Sequence, residues 1–315
     1  MPLWVDRLFL VKANSTHRIF SPAKVNLMLS VTGKRKDGFH ELVSLVVPLT
    51  FGDYLTIERI ENSTDRILTC SDSSVPVGEG NLVLQAAEKF LAEMGNPCGL
   101  EIHLEKHIPM EAGLGGGSSN VASTLLGLNR MFENALSHEQ LASLATEIGS
   151  DCPLFLDRGP VIIRGRGERV EALVQGEAAR LAGLKIALFR PNLGISTPWA
   201  YRQLAKRPEL YEDAQLAEDR LNRWKFGELS LPELLFNSFE KPVFAKYLAF
   251  PALFQSIEEK LNLHCLLSGS GSCCFAMLPD SQDEDALKAL VREAFGSEEG
   301  FFHTCEVLVA LGEIG

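Results

Sequence analysis

The 315-residue sequence has no C-x-x-C pair, no apolar run long enough to cross a bilayer and no excess of basic residues. Its seven cysteines, at positions 70, 98, 152, 265, 273, 274 and 305, are odd in number and dispersed. That argues against a disulfide framework or a cysteine zinc site, and for a reducing cytoplasm. Cys273 and Cys274 fall in an apolar strand-like run and read as core. Crossing a membrane takes about 18 consecutive apolar residues, and no run approaches that. The start of the chain lacks the ordered basic, apolar and small-residue zones of a signal peptide, so residues 1–17 read as a loosely attached arm. The 30 basic residues fall short of the 41 acidic ones, a net charge of −11. Neither nucleic acid nor a membrane is expected as a partner, since a broad basic face is needed to hold either. A small anion needs only a local field. Lys34, Arg35 and Lys36, between Gly33 and Gly38, either supply one or form a solvated turn.

What is present is the balance of a globular protein, 46% hydrophobic and 23% charged, in a chain long enough for two domains. Alternation predicts strands over 18–30, 42–47, 54–60 and 100–108. His103 and His107 have the i, i+4 spacing of zinc ligands on a helix. The alternation of Leu100, Ile102 and Leu104 instead places them on a strand, about 13 Å apart. Helical spacing covers 81–94, closed by Gly95 and Pro97, then 118–132 and 137–148, the last opened by Ser137 and Gln140 at capping-box distance. Strand and turn follow over 154–169, a weakly patterned stretch over 172–181, and a strand over 184–189. Thr197 and Pro198 read as N-cap and first-turn residues. A helical region over 231–261 is interrupted at Pro242 and Pro251, and a hairpin over 265–278, a helix over 283–295 and a strand over 302–311 complete the chain. This order indicates an α+β fold whose second half is a split βαβ sandwich. The expected division is an arm over 1–17, an N-terminal domain over 18–175 and a C-terminal domain over 176–315.

The most informative segment is Pro109-Met110-Glu111-Ala112-Gly113-Leu114-Gly115-Gly116-Gly117-Ser118-Ser119. Clustered glycines lose much entropy on folding and pack nothing, which is tolerable where backbone must approach a ligand closely. Between a predicted strand and a predicted helix, the free N–H groups and the helix start form a phosphate cradle. The hydroxyls of Ser118 and Ser119 are able to hold a phosphate oxygen or Mg²⁺. No G-x-x-x-x-G-K-[ST] occurs, so this is not a Walker loop. Gly113-x-Gly115-x-x-Ser118, with Glu133 downstream, approaches the dinucleotide pattern. Ser118 replaces its third glycine, however, and Glu133 ends a predicted helix rather than a strand.

The same segment resembles the second signature of the GHMP kinases. Ser268-Gly269-Ser270-Gly271-Ser272, followed by Cys273, Cys274, Phe275 and Ala276, resembles their third motif. Ser21-Pro22-Ala23-Lys24-Val25-Asn26-Leu27, Gly33, Asp37-Gly38-Phe39-His40 and Gly149-Ser150-Asp151-Cys152-Pro153 are similar to the branch that phosphorylates a cytidine-diphosphate-linked alcohol. The likeness runs from about Ile19 to the end of the chain. It implies a two-domain GHMP kinase fold, with an N-terminal domain like domain 2 of ribosomal protein S5, containing a left-handed crossover. A ferredoxin-like C-terminal domain follows, and the active site lies in the cleft between the two. ATP is then the phosphoryl donor, with Mg²⁺ at Ser118, in a cytoplasmic monomer or homodimer.

The resemblance also implies residue roles. The segment from Pro109 to Ser119, with Asn81 and Leu82, binds ATP. Asp151 is the catalytic aspartate, and Lys24 pairs with it and offsets charge on the transferred group. Lys24, Asn26, Phe39, His40, Tyr201, Gly269, Ser270 and Gly271 bind the substrate. Cytosine is expected between the rings of Phe39 and Tyr201, with His40 reading its edge. Two positions depart from the family pattern. Glu111 stands where a small residue, often glycine, is usual, so its carboxylate either repels ATP or helps hold Mg²⁺. Phe39 replaces the commoner tyrosine. Against this reading stand a superfamily kinase acting on another alcohol and a silent sugar or nucleotide sensor of the same fold. The aromatic pair with His40 argues against the first, and retention of Lys24 and Asp151 against the second.

Overall fold

The computed structural model describes residues 16–279, 284–295 and 300–309, and the backbone of 9–11. The chain forms two compact units. Described residues up to Ala23, Phe51–Pro109 and Gly115–Arg158 make the first; Lys24–Thr50, Met110–Leu114 and the chain from Gly159 make the second. The strands Thr16–Lys34 and His40–Ile60, 19 and 21 residues long, each run from one unit into the other. The sequence predicts separate strands over 42–47 and 54–60, and Pro48 and Gly52 lie in the gap between them. The strand continues through both residues. The Pro48 carbonyl accepts from Leu308 N–H at 2.8 Å. At Gly52 a Cβ would stand 2.3 Å from the Ser21 carbonyl oxygen, so glycine is required by close packing rather than by a turn.

In the first unit, Phe9–Val11 pairs antiparallel with the start of Thr16–Lys34, Phe9 opposite Ile19. Part of the expected loose arm is therefore an edge strand, residues 16 and 17 belong to the next strand, and 1–8 and 12–15 lie outside the described residues. Tyr54–Ile60 pairs antiparallel with Gly99–Glu105, which pairs parallel with Arg66–Cys70. That last strand is absent from the sequence reading, because Leu68 alone of its five residues is buried and no alternation marks it. His103 lies in the strand, bonded to the Thr69 hydroxyl at 2.8 Å, while His107 lies beyond its end against Glu105 at 3.0 Å.

Helices Leu82–Met94, Gly116–Met131 and His138–Ile148 pack on one another in the same unit. Their ends follow local rules. Asn81 Oδ1 accepts from Val83 N–H, Gly95 closes the first helix at φ +59°, and Ser137 and Gln140 form the expected capping box. Gly127 lets the middle helix approach closely, since a Cβ there would stand 2.5 Å from Ile19 Cδ1.

The second unit contains a four-stranded antiparallel sheet. Lys185–Arg190 lies between Cys274–Leu278 and Phe301–Glu306, and Cys265–Leu267 forms the far edge. First and third strands are thus neighbours, as in a split βαβ sandwich. Phe189, Phe239, Phe250, Ile257, Leu287 and Val291 form its core with helices Ala249–Leu261 and Glu284–Phe295.

Several predicted boundaries in this unit shift. Ser196, not Thr197, caps the helix Thr197–Ala205, accepting from Trp199 N–H. Pro242 and Pro251 are the third residues of Glu240–Lys246 and Ala249–Leu261, so they sit in first turns, where the missing N–H costs little, rather than breaking a helix. Helix Ala214–Lys225 is not foreseen, since only Ala217, Leu221 and Trp224 of its 12 residues are buried. The weakly patterned 172–181 includes the short helix Gln175–Ala179. No helix among the described residues is long and apolar enough to cross a membrane.

Candidate active site

The glycine segment passes from one unit to the other between Leu114 and Gly115. Four of the five carbonyls of Met110–Leu114 are held by fixed donors. Arg190 Nη1 reaches Met110 O at 3.0 Å, Cys273 N–H reaches Ala112 O at 3.1 Å, and Lys24 N–H reaches Leu114 O at 2.9 Å. Gly113 O accepts from both Lys24 Nζ at 2.7 Å and Ser268 Oγ at 3.0 Å. Carbonyls anchored in this way fix the direction of the peptide dipoles, and their partial negative charge is met by the donors that hold them. Gly113 has φ +76°, and a Cβ there would stand 2.1 Å from the Ser268 carbonyl oxygen, so the two glycine motifs meet with no room for a side chain.

Glu111 also lies in the left-handed region, at φ +53°. This is the position where the family pattern prefers a small residue, and a side chain there costs about 1–2 kcal/mol.

In the first unit Gly115 is the N-cap of Gly116–Met131 with no side-chain cap, which leaves the first amides of the helix available. Ser118 is half-buried and hydrogen-bonded to Cys152. Ser119 is fully buried and accepts from Ser21 Oγ at 2.8 Å, so its hydroxyl is part of the support rather than open to a ligand. Beneath the helix start lies Asp53, also fully buried. It accepts from His107 N–H at 2.7 Å, Ile108 N–H at 2.8 Å, Asn120 Nδ2 at 3.1 Å and Lys106 Nζ at 2.8 Å. Asp53 therefore fixes both the entry to the loop and the helix leaving it. Lys106, bonded also to the Ile108 carbonyl, lies 3.4 Å from where a Cβ on Gly116 would stand. Both residues escape the sequence reading. Lys106 is the nearest cation before the glycines, which is a weak signal, and Asp53 has none.

Asn81 is occupied in capping, donating to Pro76 O at 2.6 Å as well as accepting from Val83 N–H. Leu82 is exposed and lies 3.6 Å from the Cβ position of Gly117, so it borders the loop. Asp151 is exposed in the turn after His138–Ile148. Its neighbour Cys152 is buried, and burial pushes that thiol up to about 12, against a smaller lowering by its Ser118 bond. Cys152 is thus an inert anchor, joining the Asp151 turn to Ser118. The hydroxyl and the carboxylate are hard oxygen donors on adjoining segments, a set that suits Mg²⁺.

In the second unit Lys24 and Asn26 share one face of their strand, two residues apart. Both are buried, and Lys24 Nζ donates to Asn26 Oδ1 at 2.7 Å while Asn26 Nδ2 donates to Ser44 Oγ at 2.9 Å. Gly269 and Gly271 have φ +56° and +86°, and the Ser270 and Thr197 hydroxyls are 2.7 Å apart. Asn237, another residue without a sequence signal, braces this loop by donating to Leu267 O at 2.6 Å and Gly269 O at 2.9 Å.

The hairpin after Lys34 closes through Arg35 N–H to Phe39 O at 2.8 Å, with Gly38 at φ +88°. Arg35 is paired with Asp37 and Glu41, so the basic run is partly neutralised within the turn. Phe39 is exposed and carries the Arg166 guanidinium 4.8 Å above its ring. His40 is buried, and its ring lies 4.7 Å from that of Tyr201 at 32°. Tyr201 faces His40 and packs edge-on to Phe239 at 4.8 Å. Burial, and then Lys34, lower the His40 pKa.

The family model described as "GHMP kinases N terminal domain" matches residues 81–159, and "GHMP kinases C terminal" matches 225–297. The chain is 38% identical over 279 residues to the 4-diphosphocytidyl-2-C-methyl-D-erythritol kinase of Methylacidiphilum infernorum, covering 87% of this chain and 90% of that protein. It also resembles a crystal structure of 4-(cytidine 5'-diphospho)-2C-methyl-D-erythritol kinase at TM-score 0.71 and 33% identity, over 92% of this chain and 99% of that one. A homoserine kinase from Cytophaga hutchinsonii, 18% identical with TM-score 0.66 over 96% and 97% of the two chains, shares the fold.

Proposed function

The chain belongs to the 4-diphosphocytidyl-2-C-methyl-D-erythritol kinase family of the GHMP kinases, and from that membership we propose how its residues carry out the reaction. It transfers the γ-phosphoryl group of ATP to the 2-hydroxyl of 4-diphosphocytidyl-2-C-methyl-D-erythritol, a step of non-mevalonate isoprenoid precursor synthesis. The observation that carries the reading is the anchoring of four loop carbonyls between Met110 and Leu114, beside a helix start that has no side-chain cap. Such a segment offers its amides to the β- and γ-phosphates, with Leu82 at its border.

The substrate oxygen forms the new bond to phosphorus as the bond to the ADP oxygen breaks, and Asp151 takes the hydroxyl proton. Its exposure suits a base that must meet a soluble alcohol. Lys24, oriented by Asn26 and Gly113 O, offsets charge on the transferred group. Ser118 would hold Mg²⁺ together with phosphate oxygens, and the ion when bound neutralises phosphate charge. Cytosine stacks at the aromatic cluster of Phe39, His40 and Tyr201, with the loop of Gly269, Ser270 and Gly271 bordering the rest of the substrate. The test is ATP consumption with 4-diphosphocytidyl-2-C-methyl-D-erythritol, homoserine and mevalonate in parallel. Turnover with the first alone is expected. Preference for either of the others would overturn the substrate assignment.

A further inference from the structure

Two polar atoms in the aromatic cluster have no hydrogen-bond partner among the described residues: His40 Nε2 and the Tyr211 hydroxyl, both buried. Their rings are 6.0 Å apart, centre to centre, and tilted by 57°. A buried polar atom without a partner costs roughly 1–3 kcal/mol, and here two such atoms of complementary kind belong to neighbouring rings. A phenol donates or accepts, and a neutral imidazole has one nitrogen of each kind.

The surroundings hold both rings but leave their last torsions free. Tyr211 N–H donates to Pro208 O at 3.1 Å, and Glu212 N–H donates to Val31 O at 3.1 Å. Glu212 is held in turn by Ser30 Oγ and by Arg220 at 2.7 Å. On the other ring, Tyr201 lies at 4.7 Å and restricts tilting of His40. Rotation of a hydroxyl and a small turn of an imidazole are the motions that remain.

We propose that Tyr211 is a positioning residue: its hydroxyl donates to His40 Nε2 and so holds the imidazole in the tautomer protonated at Nδ1. The direction follows from acidity. A phenol is the stronger donor and an imidazole nitrogen the stronger acceptor, and which nitrogen carries the proton is set by the bond the other makes. Burial keeps the phenol protonated and disfavours imidazolium, so both groups are neutral when they pair. The consequence reaches the substrate. An Nδ1–H donor matches the bare N3 of cytosine and opposes the N3–H of uracil, so a residue that need not touch the base sets the polarity with which the base is read. This last step rests on the reading above that His40 lies at the nucleobase end.

The experiment uses the full chain labelled with ¹⁵N-histidine, without substrate, and long-range ¹⁵N–¹H spectra. A His40→Gln variant identifies the His40 signals among the seven histidines. The expected result is a protonated Nδ1 and a bare Nε2 in the unmodified enzyme, with the proton moving toward Nε2 in Tyr211→Phe. Specificity constants for the cytidine substrate and its uridine analogue should then differ about tenfold less in Tyr211→Phe, as expected for one lost hydrogen bond. ATP affinity should be unchanged. A protonated Nε2 in the unmodified enzyme overturns the proposal whether or not the variant folds, and so does an unaltered tautomer in a folded Tyr211→Phe. A tautomer shift with an unchanged analogue ratio upholds the Tyr211 bond and refutes the nucleobase reading of His40.

Discussion

Glu240 couples the stability of this fold to pH, because burial raises its carboxyl. It opens the helix Glu240–Lys246, and its Oε1 accepts from Leu267 N–H at 2.9 Å. Burial, only partly offset by that bond, raises its carboxyl from 4.5 to about 7. A carboxyl whose folded pKa is raised holds its proton more tightly folded than unfolded. Its contribution to stability is therefore complete below pH 4.5 and is lost as pH rises through 7. The rise from 4.5 to about 7 corresponds to about 3 kcal/mol in total. Integrated between pH 5 and pH 8 it gives about 2–3 kcal/mol. Glu240→Gln keeps the acceptor for Leu267 N–H and mimics the protonated acid at every pH. Urea denaturation of both proteins should show the variant more stable by under about 1 kcal/mol at pH 5, with a gap wider by about 2–3 kcal/mol at pH 8. A gap that is flat across this range would refute the burial argument. A gap that narrows would reverse its sign.

Three further outcomes follow from the site. Asp151→Asn should retain fold and ATP binding but lower kcat about 10²–10⁴-fold; retention of more than about a third of activity, at unchanged melting, would remove Asp151 as the base. Gly113→Ala, at φ +76° and with its new Cβ 2.1 Å from the Ser268 carbonyl oxygen, should both lower the urea midpoint and weaken ATP binding measured by calorimetry. Unaltered values would show that the two glycine motifs do not form a tight seam. Glu111→Gly should raise stability by about 1 kcal/mol by relieving its left-handed backbone, and a lower urea midpoint would contradict that.

The family and the α+β class were legible because they are written in local pattern. Helix ends at Asn81, Gly95 and Ser137 follow from a few neighbouring residues, and the clustered glycines declare a close approach to something without naming it. Strand continuity was not legible where a proline or glycine serves packing: at Pro48 and Gly52 the same residues that usually end a strand lie inside one of 21 residues. The parts of the site that were missed depend on partners far away in the chain. Asp53 acts only because folding brings it to Lys106 and Asn120, 53 and 67 residues on, and Asn237 only because it reaches the carbonyls of Leu267 and Gly269, 30 and 32 residues away. Likewise the motifs name Phe39, His40 and Tyr201 together, but only folding brings the Tyr201 ring against those of His40 and Phe239. The sequence by itself determined which groups are available to the chemistry, since residue type and short-range spacing are local properties. Only the tertiary structure decided which of them are held, by what and in which protonation state, because burial and long-range hydrogen bonds exist only once the chain has folded.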